Sequence, residues 1–322
     1  MTSSSPRGSS AATPADEPYV VDTTHLVEAD PPGPWERPAT EDEVRNRDAR
    51  HFERLPHRPA SLAAVPAGAL DALRAVVGEV GLTQLFVVPE TVRGIGTTRD
   101  EWVATRTEVM AVGNDTIAVW IDDPEQPGVR AAMPFASVAA ILDRSILLYG
   151  RLEVFGPGES IVVRYNTVGR PELRDLLRAV RRSSPDVDAA LPADAGLDPV
   201  DLPHKWRGVA RSPELRPHGN ELLLVAAGDL HDEAIRLHNG LAALSPHELL
   251  IATDPTPDPL MPQYGVDIVA VPRARVTSFT GAGSELRIGV AADDRAVEIR
   301  ISADPSLVAA ALATIAPALG TA

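Results

Sequence analysis

The strongest candidate for metal chemistry in the sequence is a pair of histidines, His231 and His238, with Asp232 and Glu233 beside the first. A metal site would need both imidazoles on one face of an element. Residues seven apart share a face on a helix, whereas they point to opposite faces of a strand. Because the surrounding pattern predicts strands, we predict no metal site here.

The other short motifs that carry chemistry are incomplete or absent. The Gly-x-Gly at residues 94–96 follows a predicted strand, but no third glycine and no helix come after it, so the dinucleotide fingerprint fails. The sequence has no Gly-x-Ser-x-Gly, no phosphate-binding P-loop, no His-Glu-x-x-His and no cysteine. Nothing supplies a nucleophile, its base and an orienting acid together. We therefore predict no catalytic residue and no cofactor.

Arginines recur at spacings of four and three along a predicted helix, which makes them a candidate interaction surface: Arg170, Arg174, Arg178, Arg181 and Arg182. One interpretation is a surface that faces an anion or an acidic partner. The other is a solvated helix face, with arginines near the C-terminus favoured by the helix dipole. A third use follows from the acidic second half of the chain, on which this arginine stripe could dock within one molecule or between copies.

A second candidate for interaction is Trp35, which lies among prolines in residues 31–38. A lone aromatic in a proline-rich segment can dock in a partner's groove or fold back on its own domain. The alternative is a linker with one incidental aromatic residue.

The charge balance argues against two classes of partner. The net charge is −15, and it lies mainly in residues 185–322, where 10 basic residues stand against 19 acidic ones; residues 66–184 hold 13 and 15. A protein that neutralises phosphates needs a basic excess, so we do not expect nucleic acid or an anionic membrane as partner. No run reaches the roughly 18 to 20 apolar residues that span a bilayer, and the amino terminus lacks the apolar centre of a signal peptide. The expected location is cytoplasmic.

The pattern of apolar residues predicts an arm and two β-rich domains. Residues 1–60, rich in Ser, Pro and Ala, are predicted to be disordered. Domains are predicted over 66–184, with a leading helix, and over 202–322, with a linker over 185–201 between them. Helical spacing is present in 69–80, 171–182 and 305–319. Alternating or apolar runs bounded by turn residues predict strands at 82–88, 102–112, 116–121, 129–135, 146–155, 160–165, 222–226, 240–244, 249–253, 267–271, 275–280, 285–290 and 296–301.

The two domains share their order of elements, which indicates an internal repeat. Pro134 aligns with Pro272, and Val138 with Val276, once six extra residues are allowed in the loop over 254–266. Strand then falls on strand and helix on helix, so we interpret the halves as diverged copies of one unit.

This unit resembles the pleckstrin-homology-like (PH-like) domains of bacteria, in residues 82–182 and 220–319. The resemblance rests on six or seven short strands closed by one helix, and on the proline with a β-branched residue four positions later. It implies a mainly β (α+β) fold of two small barrels, each capped by a C-terminal helix. PH-like domains are mainly scaffolds for binding lipids, peptides or sister domains. The loops that hold basic clusters in the phosphoinositide-binding members are poor in such residues here, so lipid headgroups are not expected as ligands.

The sequence therefore predicts a non-enzymatic binding or scaffold protein that uses two PH-like domains to engage a protein partner. The alternative is an enzyme, or an accessory subunit of one, whose pocket lies between the two barrels. A deep pocket lined by several convergent polar groups would favour the alternative, and small packed barrels with a flat or grooved exposed edge would favour binding.

Overall fold

The computed structural model describes residues 18–22, 35–47, 54–82, 84–95, 101–146, 149–181, 191, 202, 204–216, 223–228, 240–254, 265–293 and 295–320. The fold is mainly β, as predicted, with five α-helices in this described part. None of these helices is both long and apolar enough to cross a membrane. We call residues 54–181 the first half and residues 202–320 the second half.

The first half begins with a helix that packs on a four-stranded antiparallel sheet. Helix α2 (Ala69–Gly81) covers one face of this sheet. The buried residues between them include Leu73, Val109 and Trp120, which form one apolar core. The four strands are β3 (Leu85–Val88), β6 (Glu108–Val112), β7 (Thr116–Ile121) and β8 (Gly128–Pro134).

Three further strands and a helix complete the first half. A single 3₁₀ turn follows Pro134 and leads into β9 (Ala140–Ile146), β10 (Tyr149–Gly156) and β11 (Glu159–Asn166). Helix α3 (Arg170–Arg181) then buries Leu173, Leu176, Leu177 and Val180, the apolar face that the helical spacing predicts.

The second half repeats this order of elements. It has α4 (His204–Arg211), β12 (Leu224–Ala227), β13 (Gly240–Leu244), β14 (Glu248–Thr253), β15 (Val266–Pro272), β16 (Val276–Ala282), β17 (Glu285–Ala292), β18 (Arg295–Ser302) and α5 (Pro305–Leu319). The 3₁₀ turns lie between Pro134 and Val138 and between Pro272 and Val276, at the aligned positions. The repeat also includes a leading helix, α4, which the sequence pattern did not predict as a helix.

The prediction of two barrels is wrong, because the sheets are open. Strand β9 of the first half pairs with β15 of the second half, which gives one sheet in the order β11-β10-β9-β15-β14-β13-β12. The part of the sheet in each half has no reason to curl onto itself, since β9 and β15, which would otherwise be edge strands, are hydrogen-bonded to each other. The two halves are therefore built into a single seven-stranded sheet.

The apolar cores also cross the boundary between the halves. One core joins the face of α3 and strands of the first half to Trp206, Leu250 and Ile268 of the second half. Another places Leu142 and Phe155 of the first half with the core of α5 and β16–β18. The linker predicted over 185–201 lies outside the described residues except for Leu191, which is buried in this second core.

Within residues 1–60, the segment predicted to be a disordered arm, the described parts contain two strands and one short helix. Strand β1 (Tyr19–Asp22) pairs in parallel with β18. Strand β2 (Arg37–Pro38) pairs with β5 (Glu101–Ala104), which also pairs with β4 (Val92–Ile95). Helix α1 (Glu41–Arg45) follows, and a capping box of Thr40 and Glu43 caps its N-terminus. Strand pairing and ion pairs order this segment, and neither can be seen from its low apolar content.

Candidate functional site at the junction of the halves

The junction between the halves is a strand pair with a buried ion pair across it. In the antiparallel register of β9 and β15, Arg144 lies opposite Asp267. The Arg144 guanidinium donates from Nε to the two carboxylate oxygens at 2.9 and 3.0 Å, and its Nη2 approaches Oδ2 at 2.5 Å. Both side chains are less than 10% exposed, at 6% and 9%. A bidentate arginine–carboxylate pair fixes orientation as well as distance, so it sets the register of this junction.

A second buried ion pair connects helix α3 to the second half. Arg181 donates from Nε and Nη2 to the two carboxylate oxygens of Glu248, at 2.7 and 2.6 Å. Its Nη1 donates to the carbonyl oxygen of Glu214 at 2.9 Å. The Arg181 and Glu248 side chains are 8% and 2% exposed. All three nitrogens of the Arg181 guanidinium therefore have hydrogen-bond acceptors within the molecule.

A third polar group lies next to this pair and is centred on Asp143 of β9. The Tyr165 hydroxyl donates to Asp143 Oδ1 at 2.6 Å, and Arg170 donates to Oδ2 at 3.0 and 3.1 Å. Arg170 also donates to the Ser145 hydroxyl at 3.0 Å. Burial, followed by the nearby Asp143 carboxylate, raises the pKa of Tyr165 well above its ordinary value. The phenol is therefore held protonated, as a hydrogen-bond donor and not as a base.

The cavity enclosed by these groups is small. It lies between Asp143, Arg170, Arg174 and Glu214 on its polar side and Leu173 and Ile268 on its apolar side. Its volume is about 30 Å³, close to the share of one water molecule in the liquid. Pockets for drug-sized ligands have volumes of roughly 300–1,000 Å³. The polar groups converge here, but they bind one another and leave room for little more than water.

The predicted arginine stripe is thus divided between the junction and the surface. Arg170 and Arg181 are bound as described, and Arg174 Nη1 lies 4.0 Å from Glu214. Arg174 and Arg181 thus contact carboxylates of the second half, and Arg170 binds Asp143 of the first half. The Arg178 side chain is 37% exposed beside Asp175, and Arg182 lies outside the described residues.

The other predicted surface residue, Trp35, is half-buried at the start of a second ionic cluster. Its neighbour Glu36 accepts from Arg93 at 2.5 and 2.8 Å, and Arg164 lies 3.8 Å from the same carboxylate. This cluster attaches the arm to the first half. Sequence reasoning missed it because its members are about 57 residues or more apart.

The cluster continues on the sheet of the first half. Arg130 lies 3.1 Å from Glu108 and also donates to the Val162 carbonyl oxygen on β11. Burial raises the pKa of Glu108, and Arg130 and Arg164 oppose that shift. An arginine thus occupies part of the outer edge of β11.

The strand edges differ in how they are protected. Strand β12 is four residues long and packs against α5. Strand β3 has a backbone bridge to His57. Strand β8 has a bulge and ends at Pro134. Strand β16 has seven residues without a charge or a proline, and its residues 277, 278, 280 and 282 are exposed. Its register shifts once near its start, and Ser278–Ala282 is regular. Among the described strands, none pairs with the outer side of β16.

The described residues contain no group of three or more side chains that could hold a metal ion, and His231 and His238 lie outside them. Comparison of the chain with protein-family models, with curated proteins and with solved structures found no match.

Proposed function

We propose that the protein is a non-enzymatic binding or scaffold protein, made of two PH-like units, that engages a protein partner at the open edge of β16. The PH-like assignment is supported by an order that occurs twice: four strands of one sheet, a proline-led 3₁₀ turn, three strands and a closing helix, with β4 and β5 as an insertion between the first two strands of the first half. Because strands of both units belong to one sheet, the two units form a single scaffold.

The observation that carries this proposal is the unprotected edge of β16. An edge strand presents unpaired N–H and C=O groups, and natural proteins usually shield them with charges, prolines, bulges or a covering element. Residues 278–282 of β16 have no charge, proline or bulge, and α5, which packs on β16 as it does on β12, leaves Thr277, Ser278, Thr280 and Ala282 exposed. An extended segment of a partner can add to such an edge, with backbone hydrogen bonds for affinity and alternate side chains for specificity.

The volume of the junction cavity supports binding over the enzyme alternative. An active site between the halves would need room for a substrate beside its polar groups. The space of about 30 Å³ is lined by arginines and carboxylates that bind each other. These groups hold the two units together.

A charge placed on the edge tests the proposal. Thr280→Lys adds a lysine to the exposed side of β16, and Ala291→Lys adds the same charge at an exposed position of the inner strand β17. Each chain is used as bait in the native host, and bound proteins are identified by mass spectrometry. We expect one partner captured by the wild type and by Ala291→Lys, and reduced at least tenfold with Thr280→Lys. Equal capture by all three chains would exclude the β16 edge as the docking site.

A further inference from the structure

The last strand of the second half has a strand on each side. Inside the sheet, β17 pairs with all eight residues of β18. On the outer side, β1 of the arm pairs in parallel with the middle of β18, with Val21 opposite Ile299 and Tyr19 opposite Val297. The arm segment is therefore a ligand of the β18 edge that belongs to the same chain.

This internal ligand fills its site poorly. In the described residues it covers only Val297–Arg300, which is four of the eight residues of β18. Val21 is buried in the core at 4% exposure, while Tyr19 and Val20 are 41% and 40% exposed. Parallel pairing is slightly less stable per residue than antiparallel pairing. Among the described side chains of β1 only Val21 is buried, so we expect this strand to be displaced more easily than one with several buried side chains.

The equivalent edge in the first half is closed by a different means. There, the Arg130 guanidinium donates to the Val162 carbonyl oxygen on β11, and Arg164 of the same strand lies near Glu36. Side chains shield that edge, whereas β18 is shielded by an extended segment. The comparison identifies β18 as the edge that is shaped to accept a strand.

We propose that the β18 edge is a second acceptor site for an extended segment of a protein partner, and that β1 is its built-in competitor. The buried residues of β18 alternate, at Val297, Ile299 and Ile301. A partner strand that runs parallel to β18 and carries aliphatic residues at alternate positions would place a side chain beside each of these three residues. Among the described residues of β1, only Val21 is buried beside β18. Partner binding then requires that β1 leaves, so the arm regulates access.

A peptide and a variant in the full chain test this site. The probe is a fluorescein-labelled peptide with the sequence of residues 18–22 followed by Val-Thr, which places a third valine opposite Ile301. The Val21→Asp chain weakens β1 as a competitor without removing the arm. We expect this chain to bind the probe at least tenfold more tightly than the wild type, because the apparent affinity scales with the fraction of open sites. A probe with Asp at its anchor position should bind neither chain.

A reversible lock provides the second arm of the test and does not depend on how well Val21→Asp folds. The chain has no cysteine, so Val20→Cys with Glu298→Cys, which are partners in the register, can form one disulfide. Oxidation should abolish probe binding and reduction should restore it. Binding that is unchanged by the lock, or equal for the wild type and Val21→Asp, would overturn the proposal. Thr280→Lys should leave probe binding intact, so a failure at β16 and a failure at β18 are separate results.

Discussion

At the scale of single residues, the charged side chains with the largest expected effect on stability are the buried ones. Arg181 and Glu248 form two hydrogen bonds with each other, and Arg181 has a further acceptor in a backbone carbonyl. A buried ion pair adds little net stability, but the loss of one partner leaves an uncompensated buried charge. These residues therefore act on stability mainly when only one of them is changed.

Arg181→Met should lower the free energy of unfolding by about 3–5 kcal/mol, the usual cost of breaking a buried pair. The double variant Arg181→Met with Glu248→Met should recover most of that loss, since no charge is left unpaired. Arg178→Met, on the exposed part of the same helix, is the control and should change stability by less than about 0.5 kcal/mol. Urea unfolding of the four chains gives these values. Equal losses for Arg181→Met and Arg178→Met would contradict the junction described here.

A pH-dependent contribution is expected at Glu43. The hydrogen-bonded Arg37 guanidinium, helped by the backbone N–H of Thr40, holds the pKa of this carboxyl far below its ordinary value of 4.5. Because the folded state lowers the pKa, the stabilisation is present above pH 4.5 and is lost as the pH falls below it. Glu43→Gln should therefore increase hydrogen exchange in α1 at pH 7, and the difference from wild type should shrink toward pH 2. A difference that grew on acidification would have the wrong sign.

The contact between Gly150 and Tyr165 gives a steric prediction. A Cβ at position 150 would lie 2.5–2.7 Å from three ring carbons of Tyr165. The ring would have to move and give up its bond to Asp143, so Gly150→Ala should lower the unfolding free energy by about 1–3 kcal/mol. Gly128→Ala, where no atom lies within 4 Å of the added Cβ, should be close to neutral. Thermal melts of the two variants should differ clearly in midpoint.

At the scale of elements, local patterns predicted three of the five described α-helices and most of the described strands. The helix predicted over 305–319 has those bounds, and the one predicted over 171–182 is found at Arg170–Arg181. Both have apolar residues at helical spacing and a proline in the first turn, which are short-range signals. The strand predicted over 102–112 is two strands, β5 and β6, because the chain passes there from one sheet to another.

Strand β9 was missed for a reason that bears on the site. It carries Asp143 and Arg144 in the middle of an apolar run, and charges in that place suggest a loop. Their partners are Tyr165, Arg170 and Asp267. None of these partners is local, so the candidate site could not be assembled from sequence. A signal was present, however, since charges inside otherwise apolar strands are rarely tolerated unless they are paired.

At the scale of the whole molecule, the difference in charge between the two halves is matched by ion pairs inside the chain. Residues 66–184 are nearly balanced in charge and residues 185–322 carry the acidic excess. Arginines of α3 and β9 in the first half bind Glu248 and Asp267 of the second half. Two apolar cores also contain residues from both halves. The ion pairs and these cores therefore join the buried interiors of the two halves.

The last prediction is that the halves unfold together, although the repeat suggests two domains. Opening the junction would expose the paired edges of β9 and β15, two buried ion pairs and two cores at once. The core between α2 and its sheet lies wholly in the first half, but the other two cores would open in both halves, so no state with one half folded should be populated. Calorimetry of the full chain should give one transition with a calorimetric to van't Hoff enthalpy ratio near one. Arg144→Leu should lower the midpoint of that transition without splitting it, because it leaves Asp267 buried without its partner. Two resolved transitions in the wild type would mean that the seven-stranded sheet joins two independently stable domains.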